Sequence, residues 1–121
     1  MIEPFVGDLK EAAKSNENFR EVMVTGEHSQ VVLMTLREGE EIGEEVHRVD
    51  QFFYFVDGEG KAVLDGVEHE VEKGFAVFVP AGLRHNIVAA EDEELKLFTL
   101  YAPPQHAPGT IVHHKETASV A

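Results

Sequence analysis

Glu45 and His47 stand two residues apart in a stretch that suits an extended strand. Side chains at that separation project from the same face of a strand. A carboxylate oxygen and an imidazole nitrogen on one face can bind a single divalent cation. The pair therefore predicts a metal site, although by itself it would equally suit a strand whose polar residues face water.

Two later residues can complete such a site. Gln51 offers a neutral amide oxygen four residues after His47, and His85 begins a later segment directly after the turn signal Pro80-Ala81-Gly82. If neighbouring strands of a barrel carry these residues, two nitrogens and two oxygens converge on one ion. Gln51 is the least certain ligand, because an amide inside a barrel can instead hydrogen-bond to the backbone.

The elements that must position these residues are short strands. Apolar or alternating segments recur after Asn18, separated by Gly, Asp and Glu. They predict strands near residues 19–24, 30–36, 43–47, 52–56, 61–64, 67–71, 75–79, 85–90 and 95–101. Asp65-Gly66 between two such segments is a strong signal for a two-residue hairpin. Many short strands with little helix are typical of an antiparallel sandwich or barrel.

We predict a single domain over residues 1–121, divided into a helix or arm at 1–18, a barrel at 19–102 and a tail at 103–121. Asp8 is expected to cap a short helix at 9–14, with Glu11 placed as in a capping box. Proline cannot continue a strand ladder, so Pro103 and Pro104 end the last strand. The tail is expected to be either a disordered end or an arm laid over a neighbouring subunit.

Composition excludes several functions. The chain has 121 residues, no cysteine, 10 Lys plus Arg and 23 Asp plus Glu, so its formal net charge is 10 − 23 = −13. Proteins that bind nucleic acid or anionic membranes need clustered basic residues, and we expect neither partner here. Without cysteine there is no thiolate chemistry. The first residues lack a signal-peptide pattern, so we expect a cytoplasmic protein.

The spacing of these residues resembles the two signature motifs of the cupin superfamily. The first motif is Gly, five residues, His-x-His, three or four residues, Glu, six residues and Gly. The second is Gly, five residues, Pro-x-Gly, two residues, His, three residues and Asn. The positions that match are Gly39, His47, Gly58, Gly74, Pro80, Gly82 and His85. The resemblance implies an all-β fold, a small antiparallel jelly-roll barrel with a short N-terminal helix, and a homodimer.

The sequence departs from the cupin motifs at three positions. Glu45 stands where the first His is usual, Gln51 where Glu is usual, and Ala89 where Asn is usual. The implied ligands are Glu45, His47, Gln51 and His85, holding a divalent Zn, Fe, Mn or Ni ion. One carboxylate remains among the four ligands, so the charge at the metal matches that of the usual set.

The resemblance implies a cupin that binds or acts on a small polar metabolite. The chain looks like small single-domain bacterial cupins grouped with mannose-6-phosphate isomerases, which use Gln, two His and Glu on zinc. A sugar-phosphate isomerase-like enzyme, a non-catalytic binding module and a metal-free structural protein are the alternatives.

Other charged or imidazole side chains are not expected to bind the metal. Arg48 is predicted to be exposed, or to attract an anionic substrate at the mouth of the barrel. Two histidines are expected to face solvent and three to belong to the tail: His28 and His69, then His106, His113 and His114.

Overall fold

The computed structural model of the protein describes residues 2–115, and Met1 and residues 116–121 of the predicted tail lie outside this range. The described residues form one helix and nine strands. These are α1 (Leu9–Ser15), β1 (Arg20–Thr25), β2 (Gln30–Leu36), β3 (Asp50–Asp57), β4 (Glu59–Leu64), β5 (Val67–Glu72), β6 (Ala76–Val79), β7 (His85–Ala89), β8 (Leu95–Ala102) and β9 (Ile111–Val112). No helix among them is long and apolar enough to cross a membrane.

The strands form two antiparallel sheets. The larger sheet has the order β6-β3-β8-β2-β1-β9, and the smaller has the order β5-β4-β7. Alternate side chains of a strand point to opposite faces, so each sheet presents one apolar face to the other. The predicted all-β jelly-roll barrel with a short N-terminal helix is confirmed.

The core fills the space between the two sheets. Phe53 and Phe55 of β3 are fully buried from the larger sheet, and Ala62 and Ile87 are fully buried from the smaller one. The rings of Phe53 and Phe55 stack with centroids 6.3 Å apart. These two phenylalanines share the inward face of β3 with Gln51, as their spacing predicts.

Helix α1 covers part of the outer face of the larger sheet. The Asp8 side chain caps it by accepting a hydrogen bond from the backbone N–H of Glu11 at 3.0 Å, as predicted. Below the helix end, the buried ammonium of Lys96 donates to the backbone oxygen of Asn16 and to the Glu17 carboxylate. These bonds attach the N-terminal segment to β8, and Lys96 lowers the pKa of Glu17.

The strand predicted at residues 43–47 does not form. Gly43 has φ of 108°, a conformation that interrupts an extended strand. Only two isolated bridges join this segment to β7, at Glu41–Val88 and Glu45–His85. The segment therefore meets β7 at two separate bridges and does not form the predicted strand.

The tail, predicted as a disordered end or an arm over a neighbouring subunit, is ordered as far as Lys115. It packs on its own barrel, and Ile111 and Val112 of β9 pair with Glu21 and Arg20 of β1. The buried Gln30 side chain binds the same segment, accepting from the backbone N–H of His106 at 3.0 Å and donating to its carbonyl at 2.7 Å. The prolines do end β8, but the chain then turns back along β1.

Glycines serve the turns between strands. The five motif and hairpin glycines all have positive φ: Gly39, Gly58, Gly66, Gly74 and Gly82. Asp65 and Gly66, with φ of 49° and 84°, form the predicted hairpin between β4 and β5. Gly58 alone separates β3 from β4, and a Cβ there would collide with the backbone oxygen of Glu94.

Candidate metal site

A β-bridge between Glu45 and His85 brings the first two residues of the site together. Two backbone hydrogen bonds join these residues, from Glu45 N–H to His85 oxygen at 2.8 Å and in return at 2.9 Å. The Glu45 carboxylate lies 4.0 Å from His85 Nε2. A single bridge thus brings together two segments that are 40 residues apart in the sequence.

His47, two residues after Glu45, lies close to both of these residues. Its backbone oxygen accepts a hydrogen bond from Gly82 at 2.8 Å, which ties it to the Pro-Gly turn before His85. Its Nε2 lies 2.8 Å from Glu45 Oε2, and its ring centroid lies 5.3 Å from that of His85. One ligand atom from each of Glu45, His47 and His85 lies within 4.8 Å of the others, a cluster that could hold a metal ion.

His85 has one ring nitrogen without a partner. The side chain is 3% exposed, and Nδ1 lies 2.9 Å from the carbonyl oxygen of Leu83. A carbonyl can only accept, so Nδ1 donates to it and Nε2 is the ring nitrogen left for another partner. That Nε2 is buried without a hydrogen-bond partner, which is the arrangement of a metal-binding imidazole.

Gln51 has an orphan oxygen of the same kind. The side chain is 2% exposed, and its Nε2 donates to the Thr99 hydroxyl at 3.1 Å. Its Oε1 is buried with no hydrogen-bond partner. Gln51 pairs with Tyr101 across β3 and β8, and the Tyr101 ring packs 5.9 Å from the ring of His47. An enclosed polar atom without a partner is costly, so a ligand on Oε1 would relieve that cost.

Electrostatics keep Glu45 ionised. Burial by itself raises the pKa of this carboxyl, but the hydrogen bond from His47 and the charges of His47, His85 and Arg20 outweigh burial and lower it. The carboxylate side chain is 29% exposed, whereas His47 is 12% exposed. Glu45 is therefore an anionic group that can be reached from solvent, and His85 lies deeper in the barrel.

Tyr101 and His106 border the site but were not predicted from the sequence. Burial raises the pKa of the Tyr101 hydroxyl far above its usual value, so this group stays protonated. His106 Nε2 lies 3.3 Å from that hydroxyl. Burial and the nearby Arg20 charge lower the pKa of His106 to about 4, which makes its imidazole neutral at pH 7. The inward parity of Tyr101 on β8 was a signal available in the sequence.

Arg20 is the other residue that sequence patterns missed. It is 6% exposed and lies on β1 in alternation with the buried Val22. A charged residue at an inward position of an apolar strand is unusual, and that parity was the available signal. Arg48, in contrast, is exposed.

The remaining residues singled out in the sequence lie away from the ligand cluster. Ala89 is buried in the core, where the cupin motif has Asn. Asn86 instead holds the 41–43 segment, accepting from Gly43 N–H at 2.9 Å and donating to the Glu41 carboxylate at 3.1 Å. His28 and His69 are exposed, as predicted.

A separate cavity of about 490 Å³ lies around Gly60 and Ala89. These residues pair across β4 and β7, four residues along each strand from the Leu64–His85 pair. The cavity is lined by several carboxylates, including Glu59, Glu70 and Glu72, and by no histidine. We place the candidate site at the Glu45, His47 and His85 cluster, because only there do ligand atoms converge within residues 2–115.

Comparison with known families decides the classification. The model of the cupin domain family matches residues 32–101, which is more than half of the chain. The chain is a cupin. The matched range begins within β2, stops one residue before the end of β8, and contains Glu45, His47, Gln51 and His85.

Close relatives of this cupin extend over nearly the whole chain. The uncharacterized protein YrkC of Bacillus subtilis (strain 168) is 40% identical, in an alignment covering 98% of this chain and 67% of YrkC. The crystal structure of BH2720 from Bacillus halodurans is 38% identical with a TM-score of 0.94, covering 98% of this chain and 96% of that one. TT1209 from Thermus thermophilus is 28% identical with a TM-score of 0.70, covering 81% of this chain and 96% of that one.

Proposed function

We propose that this cupin holds one divalent metal ion through Glu45, His47, Gln51 and His85, and that it binds a small polar metabolite there. The observation that carries the proposal is the pair of orphan atoms, Gln51 Oε1 and His85 Nε2. Both atoms are buried without a hydrogen-bond partner, and the Glu45 carboxylate lies 4.0 Å from His85 Nε2.

The donor set fits a borderline metal ion. Two imidazole nitrogens, one carboxylate oxygen and one amide oxygen suit Zn, Fe, Mn or Ni. When bound, such an ion supplies Lewis acidity toward a carbonyl or hydroxyl oxygen of the ligand. The carbonyl of Leu83 fixes the orientation of the His85 ring, and the hydroxyl of Thr99 does the same for the Gln51 amide.

A sugar-phosphate isomerase-like enzyme is the second candidate. Its support is the ligand set of one Gln, one Glu and two His. Such a reaction also needs a base beside the substrate. The neutral His106 borders the site, but an imidazole whose pKa is lowered to about 4 is a weak base. We therefore rank metal-dependent binding of a small metabolite first. The homodimer and the cytoplasmic location expected from the sequence belong to the same proposal.

Metal content tests the proposal. Untagged full-length protein is expected to carry about one equivalent of Zn, Fe, Mn or Ni by elemental analysis. The variant His47→Ala is expected to lose the metal, because it removes a ligand from the cluster. His69→Ala, at an exposed histidine on β5, is the matched control and is expected to retain it.

The outcome against the proposal is equally specific. The proposed metal site would be refuted if the parent protein took up no metal after reconstitution. It would also be refuted if the His47→Ala and His69→Ala proteins had equal metal contents. If metal is bound, turnover of a panel of small acids and sugar phosphates separates an enzyme from a binding module.

A further inference from the structure

A row of apolar side chains crosses the outer face of the larger sheet. Its members pair across the adjacent strands β6, β3, β8, β2 and β1, as Phe78–Phe52, Phe52–Leu100, Leu100–Val31 and Val31–Val24. Paired residues share one face of a sheet, and Phe52 alternates with the buried Gln51 and Phe53. These five side chains therefore point away from the core, and we call them the outer row.

The outer row is open to solvent. Phe78 is 59% exposed, and the other four members are only half-buried. Helix α1 packs on the neighbouring row, where Tyr54 and Phe98 pair across β3 and β8. An outward face of an antiparallel sheet is usually polar where it meets water, and a contiguous apolar patch on a surface marks an interaction site. The outer row therefore has the composition of an interface.

Charge selects the kind of partner. The protein carries a net charge of −13, but none of the five members of the outer row is charged. A partner recruited by charge would be basic and would bind at the acidic surface elsewhere on the molecule. The outer row instead fits another uncharged apolar surface, and a second copy of the chain presents one. Two copies related by a two-fold axis bring the same surface of each together.

The area of the outer row indicates which further segment such a dimer needs. Five strands about 4.8 Å apart make the row about 20 Å long, which is a patch on the order of 300 Å². A stable dimer buries about 800 Å² on each partner. The segment before α1 carries three further exposed apolar side chains, Ile2, Phe5 and Val6. It leads into α1, which packs on this same outer face, so it adds its area on the same side of the molecule.

We propose that the outer face of the larger sheet is the contact surface of a homodimer, in which the outer row and residues 2–6 of each copy pack against those of the other. The inference rests on the proposed function in one respect, since it names the surface of the homodimer stated there. Gln51 and Phe52 lie on opposite faces of β3, so the dimer leaves the proposed metal ligands uncovered.

Sedimentation velocity of untagged full-length protein, measured over a range of concentrations, tests the inference. The parent is expected to be a dimer that dissociates on dilution. Added NaCl is expected to strengthen the dimer, because salt screens the repulsion between two copies of charge −13 and leaves apolar contacts intact. An interface held by ion pairs would respond in the opposite direction.

Two exposed phenylalanines provide a matched pair of variants. Phe78→Ser removes one ring of the outer row from each copy and is expected to raise the Kd of the dimer by about 100-fold. Phe75, which is 46% exposed, lines the cavity around Gly60 and lies outside the outer row. Phe75→Ser is therefore expected to leave the Kd within about twofold of the parent. Urea unfolding of both variants checks that they are folded.

A shortened protein tests the second part of the surface. Deletion of residues 2–6 removes the exposed side chains of Ile2, Phe5 and Val6 and leaves α1 with its Asp8 cap. It is expected to raise the Kd of the dimer by about 10-fold. A Kd equal to that of the parent would remove this segment from the proposed interface.

Three results would each overturn the inference: a parent that is monomeric at every concentration, a dimer that salt weakens, or equal Kd values for Phe78→Ser and Phe75→Ser. A monomeric parent would leave the outer row to a different partner. Metal analysis of the same samples separates this test from that of the metal site, because Phe78→Ser is expected to hold as much metal as the parent. A dimeric parent without metal would refute the metal site alone, and a monomeric parent with metal would refute the dimer alone.

Discussion

At the scale of a single residue, Gln51 sets the net charge of the proposed ligand set. The cupin motif places a carboxylate at this position and a histidine at the position of Glu45. Here the two changes offset each other, so one negative ligand remains. With Glu45 ionised, a second carboxylate at residue 51 would place two like charges in an enclosed space.

Gln51→Glu is therefore expected to act in opposite directions with and without metal. In the presence of a chelator, the extra buried charge should lower the free energy of unfolding by an amount on the order of 3 kcal/mol. With excess Zn²⁺ or Mn²⁺, the second carboxylate should strengthen metal binding and give a larger metal-induced rise in Tm than in the parent. Thermal unfolding with and without metal measures both effects.

Gln51→Leu is the matched control for that experiment, because it removes the amide oxygen without adding charge. It should reduce the metal-induced rise in Tm while leaving the chelated protein close to the parent. If Gln51→Glu and Gln51→Leu respond alike to metal, Gln51 is not a ligand.

The sequence predicted some of these residues and missed others for a physical reason. Glu45, His47 and His85 stand at fixed spacings within local motifs, so their proximity could be anticipated. Arg20 lies on β1, and its inward position is fixed by pairing with Met34 and Val112, which are distant in the sequence. His106 reaches Tyr101 because the chain turns back past Gln30 after β8. No local periodicity encodes such contacts.

At the scale of the elements, Gly58 is the residue at which the chain crosses from one sheet to the other. This residue alone lies between β3 of the larger sheet and β4 of the smaller one. Its φ of 90° is unfavourable for a residue with a side chain, and the backbone of Glu94 occupies the space that a Cβ would need. Both constraints act on the same residue.

Gly58→Ala is expected to lower the free energy of unfolding by about 3 kcal/mol, from backbone strain together with the steric conflict. Gly66→Ala is the matched control, since Gly66 has φ of 84° but a Cβ added there would meet nothing within 4 Å. It should cost only about 1 kcal/mol of strain. Urea unfolding measures both variants, and equal losses would show that the contact with Glu94 is unimportant.

The regular strands were predictable because their apolar side chains recur with a period of two. The segment 43–47 has a similar pattern but does not form a strand, because Gly43 turns the backbone. β9 was not predicted, because a strand of two residues is too short to show a periodic pattern. The proposed ligand Glu45 thus lies on an irregular segment, and a single bridge to His85 positions it.

At the scale of the whole molecule, the C-terminal segment completes the barrel wall near the site. His106 lies within it, against Tyr101, with ring centroids 5.1 Å apart. The charged groups that act on His106 are Arg20, Glu45 and His47. Its pKa of about 4 in the folded protein is below the value of about 6.5 expected when unfolded.

The unfolded chain consequently binds more protons than the folded protein between about pH 6.5 and pH 4. Stability from His106 is complete above that range and is lost as the pH falls through it. We expect the urea midpoint of chelated protein to fall over this interval, and to fall less in His106→Gln. His28→Gln, at an exposed histidine, should follow the parent. Identical curves for all three proteins would exclude His106 as the source.

The pairing of β9 with β1 has a consequence for handling the protein. β1 is bonded to β2 on one side and to β9 on the other, so the short terminal strand covers an edge that would otherwise expose unpaired backbone groups. Cutting the chain before Ile111 would leave that edge open as a template for strands of other molecules. Proteins truncated before Ile111 are therefore expected to exchange strands and aggregate more readily than the full chain. A purification tag is better placed at the N-terminus, away from β9.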